Sequence, residues 1–174
     1  MFIVTSCIVA DPPQYTNPVQ TQPQLNGYLA SPSLLQALPV YANAPGPTFT
    51  VPVRSEDGGE ELAAVFWEDY GTASTNSRVF SSQYIPASTY DVVDRSITSA
   101  PFSVGALDTG CHTVTLLVAH ISSFSSANTQ KLDPQKANTD AAIITWWVNV
   151  NPSQDQLTTL SNCPTQTPTQ TATQ

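Results

Sequence analysis

Apolar and polar positions alternate in several short segments of the chain, which is the pattern of β-strands with one buried face. The alternation is clearest in residues 48–55, where Phe49, Val51 and Val53 point one way and the residues between them point the other. Successive side chains of a strand project to opposite sides. We therefore predict a strand here with one face in the core and one in solvent.

The two longest apolar runs, residues 110–120 and 141–150, are predicted to be central strands of a sheet. In the first run, His112 and His120 share a face with the apolar residues at even positions. In the second run, Trp146 and Trp147 must point to opposite faces because they are neighbours. One of the two tryptophans is therefore exposed unless a loop covers it, and the long segment 122–140 is the loop we expect to do so.

Four further segments are read as strands: residues 27–44, 62–70, 79–85 and 95–100. Two prolines interrupt the first, so we expect an edge strand or an irregular wrap. The acidic turn at residues 56–61 joins two strands, either as a hairpin or as an arch between sheets. About seven strands without helical periodicity indicate an all-β fold, a single immunoglobulin-like β-sandwich of antiparallel strands with flexible N- and C-terminal tails.

The domain boundaries follow from where the alternating pattern begins and ends. We predict a truncated signal-peptide remnant at residues 1–6, a tether rich in Pro and Gln at 7–26, the sandwich at 27–163 and a disordered Thr/Gln/Pro tail at 164–174. A chain of 174 residues accommodates one such domain.

The amino-acid composition narrows the range of functions that the protein can have. Charged residues make up 10% of the chain, against roughly 25% in an average soluble protein. The formal net charge is -8, and the five basic residues are scattered, so no patch can neutralise nucleic-acid phosphates. No apolar run approaches the roughly 20 residues of a membrane-spanning helix. These features favour an exported β-protein and exclude nucleic acid as a partner.

Near the N-terminus, Val4-Thr5-Ser6-Cys7 resembles a bacterial lipobox. That resemblance implies lipid attachment at Cys7 and a membrane partner through this anchor. Because Ile8 rather than an aspartate follows the cysteine, the resemblance to Gram-negative lipoproteins implies the cell envelope, specifically the outer membrane. The alternative is that residues 1–9 form a short buried strand with Cys7 as a core thiol.

The segment DTGCHTVTLLV, residues 108–118, resembles the G-x-H-T-V-T-L-x-V strand of PKD-like and related bacterial immunoglobulin-like domains. Residues 54–62 resemble the acidic turn between strands B and C of those domains, with Trp67 at the position of a strand C aromatic residue. Together with the lipobox, the chain resembles uncharacterised putative lipoproteins of myxobacteria and their relatives. This family implies the fold and leaves the ligand open.

The three cysteines are Cys7, Cys111 and Cys163. If Cys7 carries lipid, an even pair remains for an exported protein. Cys111 begins one predicted central strand and Cys163 follows the other, so antiparallel neighbours would bring the two cysteines to the same end of the sheet. We therefore predict a disulfide between Cys111 and Cys163, with two reduced thiols as the alternative.

Candidate catalytic and metal-binding residues are sparse. His112 and His120 lie about 27 Å apart on one extended strand, so they cannot share a metal ion, and we expect each to meet solvent at a strand end. The acidic turn could offer oxygen ligands to calcium, but its acidic residues lack the alternating spacing of a calcium-binding loop. A glycosidase needs two carboxylates that face each other across a cleft. No sequence pattern pairs the candidate residues, which are Glu68, Asp69, Asp91 and Asp94. We expect no enzyme activity and no cofactor.

An exposed aromatic residue could carry recognition, and Trp147 is the candidate, because tryptophan can stack on a sugar ring or mark a protein interface. The prediction is a non-enzymatic, lipid-anchored extracytoplasmic scaffold or binding module whose ligand is left open, with another envelope protein and a glycan as the candidate partners. The alternative is a carbohydrate-binding module that uses exposed aromatic residues.

Overall fold

The computed structural model describes residues 20–70, 77–88, 94–105, 107–125, 128–132 and 140–153. Over these ranges the chain forms ten β-strands and two single-turn 3-10 helices at Gly27–Leu29 and Ile121–Ser123. The strands are β1 Gln24–Leu25, β2 Leu38–Val40, β3 Thr50–Arg54, β4 Leu62–Glu68, β5 Arg78–Ile85, β6 Asp94–Thr98, β7 Gly110–His120, β8 Phe124–Ser125, β9 Asn128–Leu132 and β10 Ala142–Val150. The all-β class predicted from the sequence is confirmed.

Two sheets form the sandwich. The smaller sheet has the order β1-β3-β6 and the larger has the order β2-β10-β7-β4-β5. Neighbouring strands are antiparallel except β2, which runs parallel to β10. Because β3 and β4 lie in different sheets, the acidic turn between them is an arch. The immunoglobulin-like β-sandwich is confirmed, with each of the seven predicted strand segments contributing one strand.

The core lies between the two sheets and uses the faces that alternation predicts. Phe49, Val51 and Val53 supply the smaller sheet's side, all essentially inaccessible to solvent. Opposite them, β7 and β10 supply Val114, Leu116, Val118, Trp146, Val148 and Val150. Apolar burial of this kind contributes roughly 25 cal/mol per Å². The prediction that Trp146 and Trp147 face opposite ways is confirmed, with Trp146 in the core.

An aromatic cluster occupies the centre of this core. Phe49 lies 5.1 Å from Trp146 between ring centroids, and Phe80 lies 5.2 Å from Phe102 in an edge-to-face arrangement. Gly46 lets the chain pass close to this cluster, because a Cβ at that position would stand 1.5 Å from the carbonyl oxygen of Phe102. No side chain fits there, so the approach of the two backbones requires glycine.

Residues 26–37 cross one side of the sandwich, from the β3 edge to the β10 edge, and are called the edge segment below. Ser31 forms a β-bridge with Thr50, and the Trp146 indole N–H donates to the carbonyl of Pro32 at 2.8 Å. Ala30 and Leu34 pack against the core. The predicted proline-interrupted edge is thus an irregular wrap that ends in the short strand β2.

One expectation is wrong. The segment 122–140, predicted as a loop, contains the small antiparallel pair β8 and β9. Trp67, which the family resemblance places where a strand C aromatic residue would sit, packs with the apolar cluster on the outer face of the larger sheet. A bulge between Phe66 and Trp67 accompanies this arrangement, and Phe66 is the aromatic residue that enters the core.

Several predictions fall outside the described residues. They are the signal remnant at residues 1–6, the tail at 164–174, the cysteines Cys7 and Cys163, and the predicted tether at 7–26 up to residue 19. The remainder of that predicted tether is described and contains β1, which pairs with β3. Lipidation at Cys7 and the disulfide between Cys111 and Cys163 therefore stay predictions. In the portion of the chain that is described, no helix is long and apolar enough to cross a bilayer.

Candidate functional site

At the end of β7, His120 is buried between acidic residues from two other segments. Its Nδ1 lies 2.5 Å from Oδ1 of Asp140, whose Oδ2 accepts the His120 backbone N–H at 3.0 Å. Its Nε2 points toward Oδ2 of Asp57, 3.6 Å away, beyond hydrogen-bond distance. Asp57 in turn accepts both the backbone N–H and the hydroxyl of Thr21. The group joins the β3–β4 arch, β7 and the entry to β10.

At the start of the same strand, His112 is held in a similar way. Its Nδ1 lies 2.8 Å from Oδ2 of Asp69, and its Nε2 lies 2.9 Å from the carbonyl oxygen of Asp108. Asp69 also accepts the Thr113 backbone N–H at 2.9 Å. Asp69 has a positive φ of 49°, a conformation that Asp tolerates better than most residues and that turns the chain at the end of β4.

These contacts correct one expectation. The histidines were expected to meet solvent at the strand ends, but the side chain of His120 is 1% exposed and that of His112 is 14% exposed. No local pattern of residues signals this burial, because the acidic partners come from distant parts of the chain. The expectation that the two histidines lie at opposite ends of one strand is confirmed, so they cannot share an ion.

An ion pair joins β4 and β5. The carboxylate of Glu68 is fully buried and forms a two-pronged pair with the guanidinium of Arg78, through Nε to Oε2 and Nη2 to Oε1. The hydrogen bond to Glu68 raises the pKa of Arg78 above its ordinary value. Glu68 therefore neutralises Arg78 within the fold. Asp91 and the side chain of Asp94 lie outside the described residues.

The acidic turn does not assemble a cation site from its described side chains. Asp57 is engaged with Thr21, and Glu61 accepts the hydroxyl of Tyr84, which raises the Tyr84 pKa above its ordinary value. Among all described residues, no group of three or more His, Cys, Asp or Glu is placed to hold a metal ion.

The outer face of the larger sheet carries aromatic residues beside polar ones. Trp147 lies opposite Thr113 in the register of β10 and β7, and Trp67 lies opposite Thr115 one strand further on. Trp67 also packs against Tyr70, with 5.6 Å between ring centroids. Both tryptophans are half-buried. The surface is therefore a sheet face with aromatic side chains of partial exposure.

Several polar atoms on this outer face are buried and have no hydrogen-bond partner among the described residues. They are the indole nitrogens of Trp67 and Trp147, the Thr113 hydroxyl and Oδ1 of Asn149. A buried polar group without a partner costs about 1–3 kcal/mol, so natural folds rarely keep several together.

Trp147, predicted as the recognition residue, supplies one of these atoms. Its predicted capping by the loop at residues 122–140 rests on parts of that loop outside the described residues.

Comparison with known proteins does not assign the chain to a family. No protein-family model matches the chain, and no curated protein matches it. Among solved structures, LPMO10B from Micromonospora aurantiaca aligns with 66% of this chain at 16% identity and a TM-score of 0.36. The aligned region spans about half of that chain, 53% of its length.

Proposed function

We propose that the protein is a lipid-anchored, extracytoplasmic scaffold or binding module without catalytic activity. In this proposal, lipid on Cys7 holds the chain at the cell envelope and residues 8–19 act as a tether. The sandwich then displays a recognition surface away from the anchor. The lipobox-like residues, the low charge content and the Pro/Gln-rich segment at residues 7–26, in which Asp11 is the one charged residue, support the anchored location.

One observation carries the non-catalytic part of the proposal: the buried groups that could act as acids or bases are bonded to one another inside the fold. His112 has a partner at each ring nitrogen, His120 is held by Asp140, and Glu68 is paired with Arg78. A general base must reach a proton on a substrate. Groups that join separate strands to one another are better suited to stabilising the sandwich.

The test is the intact mass of the protein isolated from membrane fractions of its native host. The expected result is a chain that begins at Cys7 and carries the mass of attached acyl groups, and a Cys7→Ser variant that leaves the membrane fraction. An unmodified chain that begins at Met1 and stays in the cytosol would refute the anchored function.

The second candidate is a carbohydrate-binding module, and the outer-face group of Trp67, Tyr70 and Trp147 favours it. Sugar rings stack on aromatic faces, and their hydroxyls can satisfy buried donors and acceptors. The unpartnered indole nitrogens and the Thr113 hydroxyl offer such donors and acceptors. Binding would require the side chains that cover these atoms to move aside so that the glycan could reach them.

Affinity electrophoresis in gels that contain soluble polysaccharides tests this candidate. Retardation of the parent protein should be lost in Trp147→Ala and kept in Tyr41→Ala, which removes an aromatic residue of 40% exposure outside the outer-face group. Equal migration of the parent protein in all glycan gels and in the blank gel would exclude the carbohydrate-binding function.

A further inference from the structure

One side of the sandwich is formed by segments that carry no ionisable charge. Residues 20–53 contain no Asp, Glu, Lys or Arg, although the whole chain has a formal net charge of -8. Strand β10, against which β2 pairs, has no such residue either. The acidic residues of the protein are therefore concentrated in other segments of the chain.

The edge segment on this side displays large apolar side chains to solvent. Tyr28 is 99% exposed, Leu35 is 90% exposed and Leu29 is 64% exposed. Exposed apolar residues are common singly, but three of this size within eight residues of one uncharged segment indicate an interaction surface. These three residues are called the apolar edge.

The backbone under the apolar edge is fixed to both sheets. The N–H of Asn26 donates to the carbonyl of Pro52 at 3.0 Å, and Ser31 exchanges two hydrogen bonds with Thr50. Pro32 accepts the indole N–H of Trp146 at 2.8 Å. The neighbouring Leu34 packs on the core, and a Cβ at Gly27 would lie 3.1 Å from it. Because the anchored backbone holds the segment, the apolar edge is presented outward instead of folding into the core.

We propose that the apolar edge inserts into the interfacial region of a zwitterionic phospholipid bilayer. The proposal rests on the lipid anchor of the proposed function, because Gln20 follows Cys7 by 13 residues. A fully extended chain of that length spans at most about 45 Å. The anchor would therefore hold the sandwich within that distance of the membrane surface.

The chemistry of the apolar edge fits lipid better than protein. Two leucines suit the acyl boundary, and tyrosine is enriched where a bilayer meets water. Three side chains fall short of the roughly 800 Å² per partner of a stable protein interface. The absence of charge in residues 20–53 avoids the cost of moving ions toward lipid, whereas the acidic remainder of the chain would be repelled by anionic headgroups.

The experiment uses the full chain with Cys7→Ser, which carries no lipid, and vesicles of phosphatidylcholine alone. Co-sedimentation over increasing lipid concentration gives the partition coefficient. We expect measurable partitioning of this chain, a decrease of about tenfold for Leu29→Ser or Leu35→Ser, and further weakening when both are changed. Tyr84→Ser is the control, since it removes a large side chain of 54% exposure from β5, at the edge of the larger sheet opposite β2.

The leucines are exposed, so their variants should unfold at the same urea concentration as the parent, and this is checked first. No partitioning at any lipid concentration, or an equal loss in the Tyr84→Ser control, would overturn the inference. Dimerisation that disappears in the leucine variants would overturn it too, because the occupant would then be a second copy of the chain. Lipidation is tested separately by the intact mass, so either idea can fail while the other stands.

Discussion

Removing the carboxylate of Asp140 is the sharpest test of how the buried histidine–aspartate contacts stabilise the sandwich. Asp140→Ala deletes two contacts to His120, one to Nδ1 at 2.5 Å and one to the backbone N–H at 3.0 Å. His120 is 1% exposed, so water cannot replace the lost acceptor without disturbing the core. The end of β7 would then contain an unsatisfied N–H and an imidazole without its carboxylate partner.

The expected cost follows from these two contacts. Hydrogen bonds to charged groups contribute about 1.5–3 kcal/mol each. The two bonds end on one carboxylate and their contributions overlap, so we expect Asp140→Ala to lower the free energy of unfolding by about 3 kcal/mol. Asp140→Asn keeps an acceptor for the backbone N–H, so roughly half of that loss is expected.

Urea denaturation followed by tryptophan fluorescence measures the change, with the slope of the free energy against urea used to check that the unfolded state is comparable. Asp108→Ala is the control. Its side chain is exposed, and only its backbone carbonyl contacts His112, so the expected change is within about 0.5 kcal/mol. A loss below about 1 kcal/mol for Asp140→Ala would show that the pair contributes little to stability and would refute the reasoning.

Three further predictions concern other parts of the fold. Gly46→Ala places a methyl group on a neighbouring backbone carbonyl and should cost about 3 kcal/mol in urea unfolding, whereas Gly59→Ala, with nothing within 4 Å of its Cβ, should be nearly neutral. Arg78→Met leaves its fully buried carboxylate partner, Glu68, unpaired and should lower the midpoint of thermal unfolding at neutral pH, measured by circular dichroism. Tyr84 should ionise above its ordinary pKa of 10.0 in an absorbance titration, and Glu61→Gln should reduce the shift. Because the raised pKa keeps the proton in the folded state, the small stabilisation is present below pH 10.0 and is lost as pH rises through the folded pKa.

Alternation alone located the core faces of the strands. Phe49, Val51 and Val53 share a buried face because successive side chains of a strand project oppositely, a property of the local backbone. The same rule required Trp146 and Trp147 to face opposite ways. Local chemistry also marked the prolines of residues 27–44 as unsuited to a central strand.

Long-range pairing was decided only by the tertiary structure. His120 meets an aspartate 20 residues away and His112 meets one 43 residues away, and no local pattern encodes which acid a histidine will find. The choice between a hairpin and an arch at the acidic turn depended on sheet assignment, which rests on packing across the core. The exposure of the apolar edge could not be predicted from the sequence either. Leu34 and Leu35 are adjacent leucines, and no local pattern tells which of them is buried. Only the bonds that fix the edge segment to both sheets determine that the first packs inward and the second meets solvent.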